Sequence, residues 1–222
     1  MNRPLILTAL FFGCAVASPA DDSWKPLCNG ANLDGWTAPG GGTPGTGWEV
    51  KDGAIHRAAK AGDIVTAADF LNFELEFEWK VAEKANSGLK YRVADYAPAG
   101  RNIGIEFQIL DDAGHSNGKV EKTSAGSAYD LLPPAKDKKL KPVGEWNQAR
   151  IVARGNEIEH WLNGEKVLSF TIGGEAWKKA LAGSKFKAAA DFGTKKGRIL
   201  LQDHGDEAWF RNLRIRELPE KP

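Results

Sequence analysis

The fold class predicted by this sequence is an all-β sandwich, two antiparallel sheets in jelly-roll order, and three observations predict it. Apolar and polar residues alternate with period two over several stretches, most cleanly Phe73-Glu74-Leu75-Glu76-Phe77-Glu78-Trp79-Lys80. Successive strand side chains point to opposite faces, so such a stretch buries one face and wets the other. Turn signals recur at roughly the eight-to-twelve-residue spacing of sandwich proteins, and only Ala176 to Ala182 has a helical pattern. The 222 residues suit one large β domain, with no repeat at propeller or solenoid spacing and no dividing linker.

The elements follow in order. Arg3, the apolar run Leu5 to Phe12 and the small residues Ala15, Ala17, Ser18 and Ala20 form a secretory signal peptide over residues 1–20, too short for a membrane span. Cleavage after Ala20 leaves a mature domain of residues 21–222, exported to the periplasm or beyond. Lipidation at Cys14 is the disfavoured alternative, because Phe11 stands where a lipobox has Leu. Cys28 then lacks an intramolecular partner and reads as a small apolar residue. Leu27 to Trp36 begins the sheet, and Pro39 to Gly47 is a loop without the Gly-Lys-Ser/Thr ending of a phosphate site. Trp48-Glu49-Val50 and Ala54-Ile55-His56 make a hairpin across Asp52-Gly53.

After the Phe73–Lys80 strand, Asn86-Ser87-Gly88 reads as a turn and Leu89 to Val93 as a strand. In Gly104 to His115, Ile105, Phe107 and Ile109 face a core while Glu106 and Gln108 share the other face; Asp111, Asp112 and His115 gather at its end. Lys119 to Tyr129 has no clear period, and Leu131 to Pro142 is a proline-punctuated loop. Trp146 to Arg154, Glu157 to Leu162 and Lys166 to Phe170 form a meander. Arg198 to Gln202 and Trp209 to Leu218 close the domain, the last strand lying near Leu27.

Composition excludes several classes of function. A net charge of +1 gives no field for nucleic acid or an acidic membrane, and the Lys136–Lys141 cluster reads as a solvated loop. No Gly-x-Ser-x-Gly elbow supports a serine hydrolase. The histidines left after processing, His56, His115, His160 and His204, form no zinc-spaced pair; a divalent cation at Asp111 and His115 is left open. His160 shares a strand face with Ile158 and Leu162, as a core histidine would, whereas His204 lies in the polar Gln202-Asp203-His204-Gly205-Asp206 loop. Glu106 and Asp111 allow a retaining glycosidase only if a bulge or turn brings them together, since i+5 faces away from i in a regular strand. Most of the eight tryptophans have a core reading.

Several segments together carry a family resemblance: Leu33-Asp34-Gly35-Trp36, Phe73 to Trp79, Asn86-Ser87-Gly88-Leu89, and Glu106-Phe107-Gln108-Ile109-Leu110-Asp111-Asp112. Glu145-Trp146-Asn147, His160-Trp161-Leu162-Asn163-Gly164, Leu201-Gln202-Asp203-His204-Gly205 and Trp209-Phe210-Arg211-Asn212-Leu213 complete it. The chain resembles the 3-keto-disaccharide hydrolase domain family, also described as 3-keto-glucoside lyase/hydratase. The resemblance implies a concanavalin A-like jelly roll acting on glycosides whose sugar is oxidised at C3, a carbohydrate partner. A C3 ketone acidifies the C2 hydrogen, so a base can start β-elimination of the C1 aglycone, and water can then add. For that chemistry Glu106, His160 and His204 are the acid–base candidates. Asn86, Arg92, Gln108, Lys122, Lys185 and Gln202 are candidates to bind hydroxyls or the enolate. The competing readings are a retaining glycosidase using Glu106 and Asp111, and a carbohydrate-binding module without turnover.

Overall fold

The computed structural model describes residues 23–220; the segment read as a signal peptide, with Cys14, lies outside them. The strands are β1 (Lys25–Pro26), β2 (Trp36–Thr37), β3 (Trp48–Lys51), β4 (Ala54–Arg57), β5 (Ile64–Thr66), β6 (Phe73–Val81), β7 (Asn86–Tyr96), β8 (Gly100–Leu110) and β9 (Asn147–Arg154). After them come β10 (Glu157–Leu162), β11 (Glu165–Thr171), the helix α1 (Glu175–Ala182), β12 (Arg198–Leu201) and β13 (Ala208–Glu217). One antiparallel sheet runs β11-β10-β9-β6-β13-β4-β3, with β1 on the far end of β13; the other runs β2-β5-β12-β7-β8. The expected jelly-roll sandwich is therefore present. The termini meet as expected, with Lys25 opposite Ile215 and Leu27 N–H donating to Leu213 O at 2.8 Å.

Period two builds the core directly. Phe73, Leu75, Phe77 and Trp79 of β6 and Ile105, Phe107 and Ile109 of β8 are all buried, each such side chain contributing about 1.5–3 kcal/mol of hydrophobic stabilisation. Phe77 meets Phe107 edge-on across the layers at 5.6 Å between centroids. The Asp52-Gly53 hairpin forms, both residues at positive φ (52° and 76°), as a two-residue turn of this hand requires. The tryptophans divide. Trp36, Trp48, Trp79 and Trp177 are in the core, whereas Trp24, Trp146, Trp161 and Trp209 lie half-buried, each stacked by Lys or Arg.

Three expectations are corrected. Asn86-Ser87-Gly88 is not a turn but the start of β7, Asn86 opposite Leu110 and Gly88 opposite Gln108. Its glycine serves close approach: a Cβ there would overlap the Glu106 carboxylate. His160 points between the sheets, fully buried against Phe107, Tyr91 and Phe170. Its Nδ1–H donates to Gly126 O (3.0 Å), which leaves Nε2 to accept from the Tyr91 hydroxyl (2.9 Å). Burial holds its pKa down to about 4 against the pull of that carbonyl, so it is a neutral core residue at neutral pH. Arg92, at φ 52° in a β-bulge, turns away from the sheet face and donates to the carbonyls of Leu71, Gly155 and Gly193, tying three loops together. It is a structural clamp whose side-chain hydrogen bonds all go to backbone carbonyls.

Candidate active site

The site lies on the outer face of the five-stranded sheet, and strand register assembles it. β8 presents Glu106 and Gln108 outward because Ile105, Phe107 and Ile109 face in. β7 sets Lys90 opposite Glu106 and Gly88 opposite Gln108. β12 extends the rows: Leu200 is opposite Lys90, and Gln202 N–H donates to Gly88 O at 2.9 Å. On the other side of β8, residues 126–129 run as an added edge: Ala128 bridges Phe107, Tyr129 N–H donates to Glu106 O (3.0 Å) and Gln108 N–H to Ser127 O (3.2 Å). Paired residues share a face, so Tyr129 stands beside Glu106 and Ser127 beside Gln108.

Glu106 is the candidate catalytic group. It is only 4% exposed, and Lys90 Nζ stands 3.9 Å from its Oε2, too far for a direct hydrogen bond. The Gln108 amide nitrogen donates to Oε1 at 3.0 Å and to Ser87 O at 3.1 Å, with the rest of the amide against Asn86. Burial raises the carboxyl pKa; Lys90 and Lys185 pull it down, Asp63 pushes it up, and the balance stays above the ordinary 4.5. A desolvated carboxylate facing two ammonium groups can take a proton and return it.

A pocket of about 270 Å³ opens onto this carboxylate, lined by Lys90, Ala99, Ile103, Gly104, Glu106, Lys185 and Phe186. Lys185 comes from the loop after α1: its N–H donates to Asp130 Oδ2 (2.9 Å) and its ammonium lies 4.6 Å over the Tyr129 ring. Lys122 binds the other oxygen of the same carboxylate, Asp130 Oδ1, at 2.6 Å. Lys122 therefore anchors the loop that carries Lys185, without lining the pocket. Burial raises the Tyr129 phenol pKa, with Glu106 and Asp130 adding to the rise.

The structure brings together Glu106, Gln108, Asn86, Gln202 and Lys185, with Lys122 behind them. His204 is exposed on the loop beyond Gln202, with no hydrogen bond or ion pair to Glu106. Asp111 is held by backbone groups: Oδ2 accepts from Lys84 N–H (2.7 Å) and Oδ1 from Ala113 and Gly114 N–H (3.1 and 3.0 Å). His115 Nδ1 accepts from Asn117 N–H, capping a 3₁₀ turn. Among the described residues no cluster of three or more His, Cys, Asp or Glu is arranged to hold a metal ion.

Sequence reasoning missed Lys90, Tyr129 and Ser127. Period two from Asn86 through Gly88 would have reached Lys90 had Asn86–Gly88 been read as strand. Tyr129 and Ser127 sit in a segment without a period and carried no local signal. Two buried oxygens near this face, Ser127 Oγ and Gln202 Oε1, find no hydrogen-bond partner among the described residues.

Residues 23–216 match the family model of the 3-keto-alpha-glucoside-1,2-lyase-like domain. A 3-keto-disaccharide hydrolase of Bacteroides thetaiotaomicron is 32% identical over 234 residues, covering 90% of this chain and 80% of the relative. A crystal structure from Parabacteroides distasonis, named provisionally as a glycosyl hydrolase, superposes with TM-score 0.80 at 33% identity over 89% of this chain and 95% of that one. A second, likewise named and from the same organism, gives 0.69 at 32% identity over 88% and 99%. The chain belongs to the 3-keto-alpha-glucoside-1,2-lyase-like domain family.

Proposed function

We propose that this protein is a carbohydrate-cleaving enzyme that splits 3-keto-disaccharides in the Glu106 pocket by elimination and hydration. Family membership and the 32% identical hydrolase support sugar cleavage. The single observation that carries the mechanism is the buried carboxylate of Glu106, its pKa raised, in a pocket that it shares with Lys90 and Lys185.

The C2–H bond of the 3-keto sugar breaks, its proton passing to Glu106 and its electron pair entering the C2–C3 enolate. Lys90 and Lys185 stabilise the charge that develops on the C3 oxygen. The enolate collapses to expel the C1–O aglycone, which takes a proton from Tyr129, the residue paired beside Glu106. Water then adds at C1, its proton restoring the Tyr129 phenol, and Glu106, its proton exchanged with solvent while the aglycone departs, protonates C2. Gln108 with Asn86 holds Glu106 in place. The retaining alternative loses its partner, because Asp111 is tied to three backbone N–H groups.

The test is turnover of a 3-keto-disaccharide in D₂O. Deuterium at C2 of the released sugar, with activity lost in Glu106→Gln, supports the mechanism; product without deuterium, or full activity in that variant, rejects it. Export is part of the proposal, on the pattern of residues 1–20; a product confined to the cytoplasm, with a mass that begins at Met1, would count against it. No helix among the described residues is long and apolar enough to cross a membrane.

A further inference from the structure

On the opposite side of the sandwich, the outer face of the eight-stranded sheet holds a groove of about 840 Å³, within the range of small-molecule sites. Glu76, Glu78, Gln148, Arg150, Trp161 and Arg214 line it. A β-bulge opens it: the register of β13 on β6 slips between Arg211 and Arg214, where Asn212 takes φ 52°. The segment at Pro26 and Cys28 forms a rim.

Its chemistry is that of a site for an uncharged, polyhydroxylated ligand. Glu78 and Glu76 are matched across the strands by Arg211 (2.7 Å) and Arg214 (2.6 Å), so the groove offers planar donor and acceptor groups with little net field. Trp161 supplies an aromatic wall, its orientation fixed by Nε1–H donating to Glu159 (2.8 Å) and by the Arg150 guanidinium 4.1 Å from its ring. The Gln148 side-chain amide has no hydrogen bond within the described residues, and Arg214 engages only one oxygen of Glu76. A sugar ring uses this combination: its C–H face packs on an indole while adjacent hydroxyls pair with amide and carboxylate groups. The bland alternative, a solvated face of ion pairs, accounts for the Glu–Arg ladder but not for a deep groove walled by a held tryptophan.

We propose that this groove is a second carbohydrate site, binding a neutral oligosaccharide without cleaving it. It does not depend on the chemistry assigned to Glu106.

Affinity electrophoresis of the mature chain in gels containing starch, dextran, mixed-linkage β-glucan or xyloglucan tests it. At least one gel should retard the protein. Glu106→Gln should be retarded equally, Trp161→Ala should lose tenfold or more in affinity and Gln148→Ala severalfold, while both groove variants keep their turnover. If Trp161→Ala misfolds by circular dichroism, Gln148→Ala, at an exposed side chain, decides. No retardation in any gel overturns the proposal, as does retardation that Glu106→Gln abolishes and the groove variants spare. A concentration-dependent dimer in sedimentation that Gln148→Ala or Trp161→Ala disperses, with no retardation, makes the face a self-interface and also overturns it.

Discussion

Both outer faces of this sandwich come from the same alternation, yet their carboxylates have opposite fates. On the eight-stranded sheet, Glu74, Glu76 and Glu78 each meet an arginine on β13, at 2.6, 2.6 and 2.7 Å. Burial alone would raise the Glu78 carboxyl, but hydrogen bonds from Asn212 and Arg211 hold it below its ordinary value. On the five-stranded sheet, Glu106 is flanked by residues 126–129, and the Lys90 ammonium opposite it is offset to 3.9 Å. A matched guanidinium fixes a carboxylate in its charged form and occupies its lone pairs. An offset ammonium leaves Oε2 without a hydrogen bond from the cation and burial free to raise the pKa. The direction of each carboxylate's pKa shift follows from how it is partnered, not from its place in a strand pattern.

The strongest way to break this contrast is Glu106→Gln, for which the loss of kcat should be about 10²–10⁴-fold, the usual weight of a general base. Folding should persist, because an uncharged amide in that pocket avoids the desolvation that opposes the carboxylate. Next come Lys90→Met and Lys185→Met. Each should lower kcat about 10–10³-fold, removing one group that stabilises the oxyanion. Each should also move the acid limb of the pH–kcat/KM profile upward. The sign follows from the cations holding the Glu106 pKa down; in the unmodified enzyme that limb should already lie above pH 4.5. An acid limb unmoved in both variants would separate the lysines from the base.

Gly88→Ala sharpens the geometric side, since its Cβ would overlap the Glu106 carboxylate. Overpacking of this kind costs about 1–3 kcal/mol, and the activity loss should exceed what the lowered melting temperature explains. His160 tests stability alone. Its folded pKa of about 4 lies below the ordinary 6.5, so the unfolded chain binds the extra proton between those values. Stability is then fully present above about pH 6.5 and should fall by up to about 3 kcal/mol as pH drops toward 4. His160→Gln should flatten that part of the melting curve against pH, with the acid limb of turnover unchanged. The smallest effect belongs to the other face. Glu76→Gln breaks an exposed ion pair and should cost no more than about 1 kcal/mol, with turnover unaltered.

Much of the architecture was legible in residue order. Alternation placed Phe73–Trp79 and Ile105–Ile109 on the core and Glu106 with Gln108 outside, and Asp52-Gly53 marked its hairpin. The same alternation set Trp161 and His160 on opposite faces. It also grouped His160 with Ile158 and Leu162 in a core-like setting, although the resemblance nominated it for catalysis. The reading failed at Asn86-Ser87-Gly88, where local composition matches a turn and only the partner strand, β8, makes it extended.

What the sequence by itself determined is whatever depends on neighbours along the chain: which residues are strand, which face each side chain takes, and that Glu106 stands on a polar face. Tertiary structure alone decided the neighbours of Glu106. Lys90, Tyr129, Ser127 and Lys185 come from separate segments and meet through strand register and loop closure, which local periodicity does not encode. It also decided that Asp111 binds backbone N–H groups, that Arg92 clamps loops, and that three glutamates have arginines opposite while the fourth does not. The physical reason is range: alternation is set by backbone geometry over two residues, whereas desolvation and charge pairing act between atoms a few ångströms apart in space, whatever their distance in sequence.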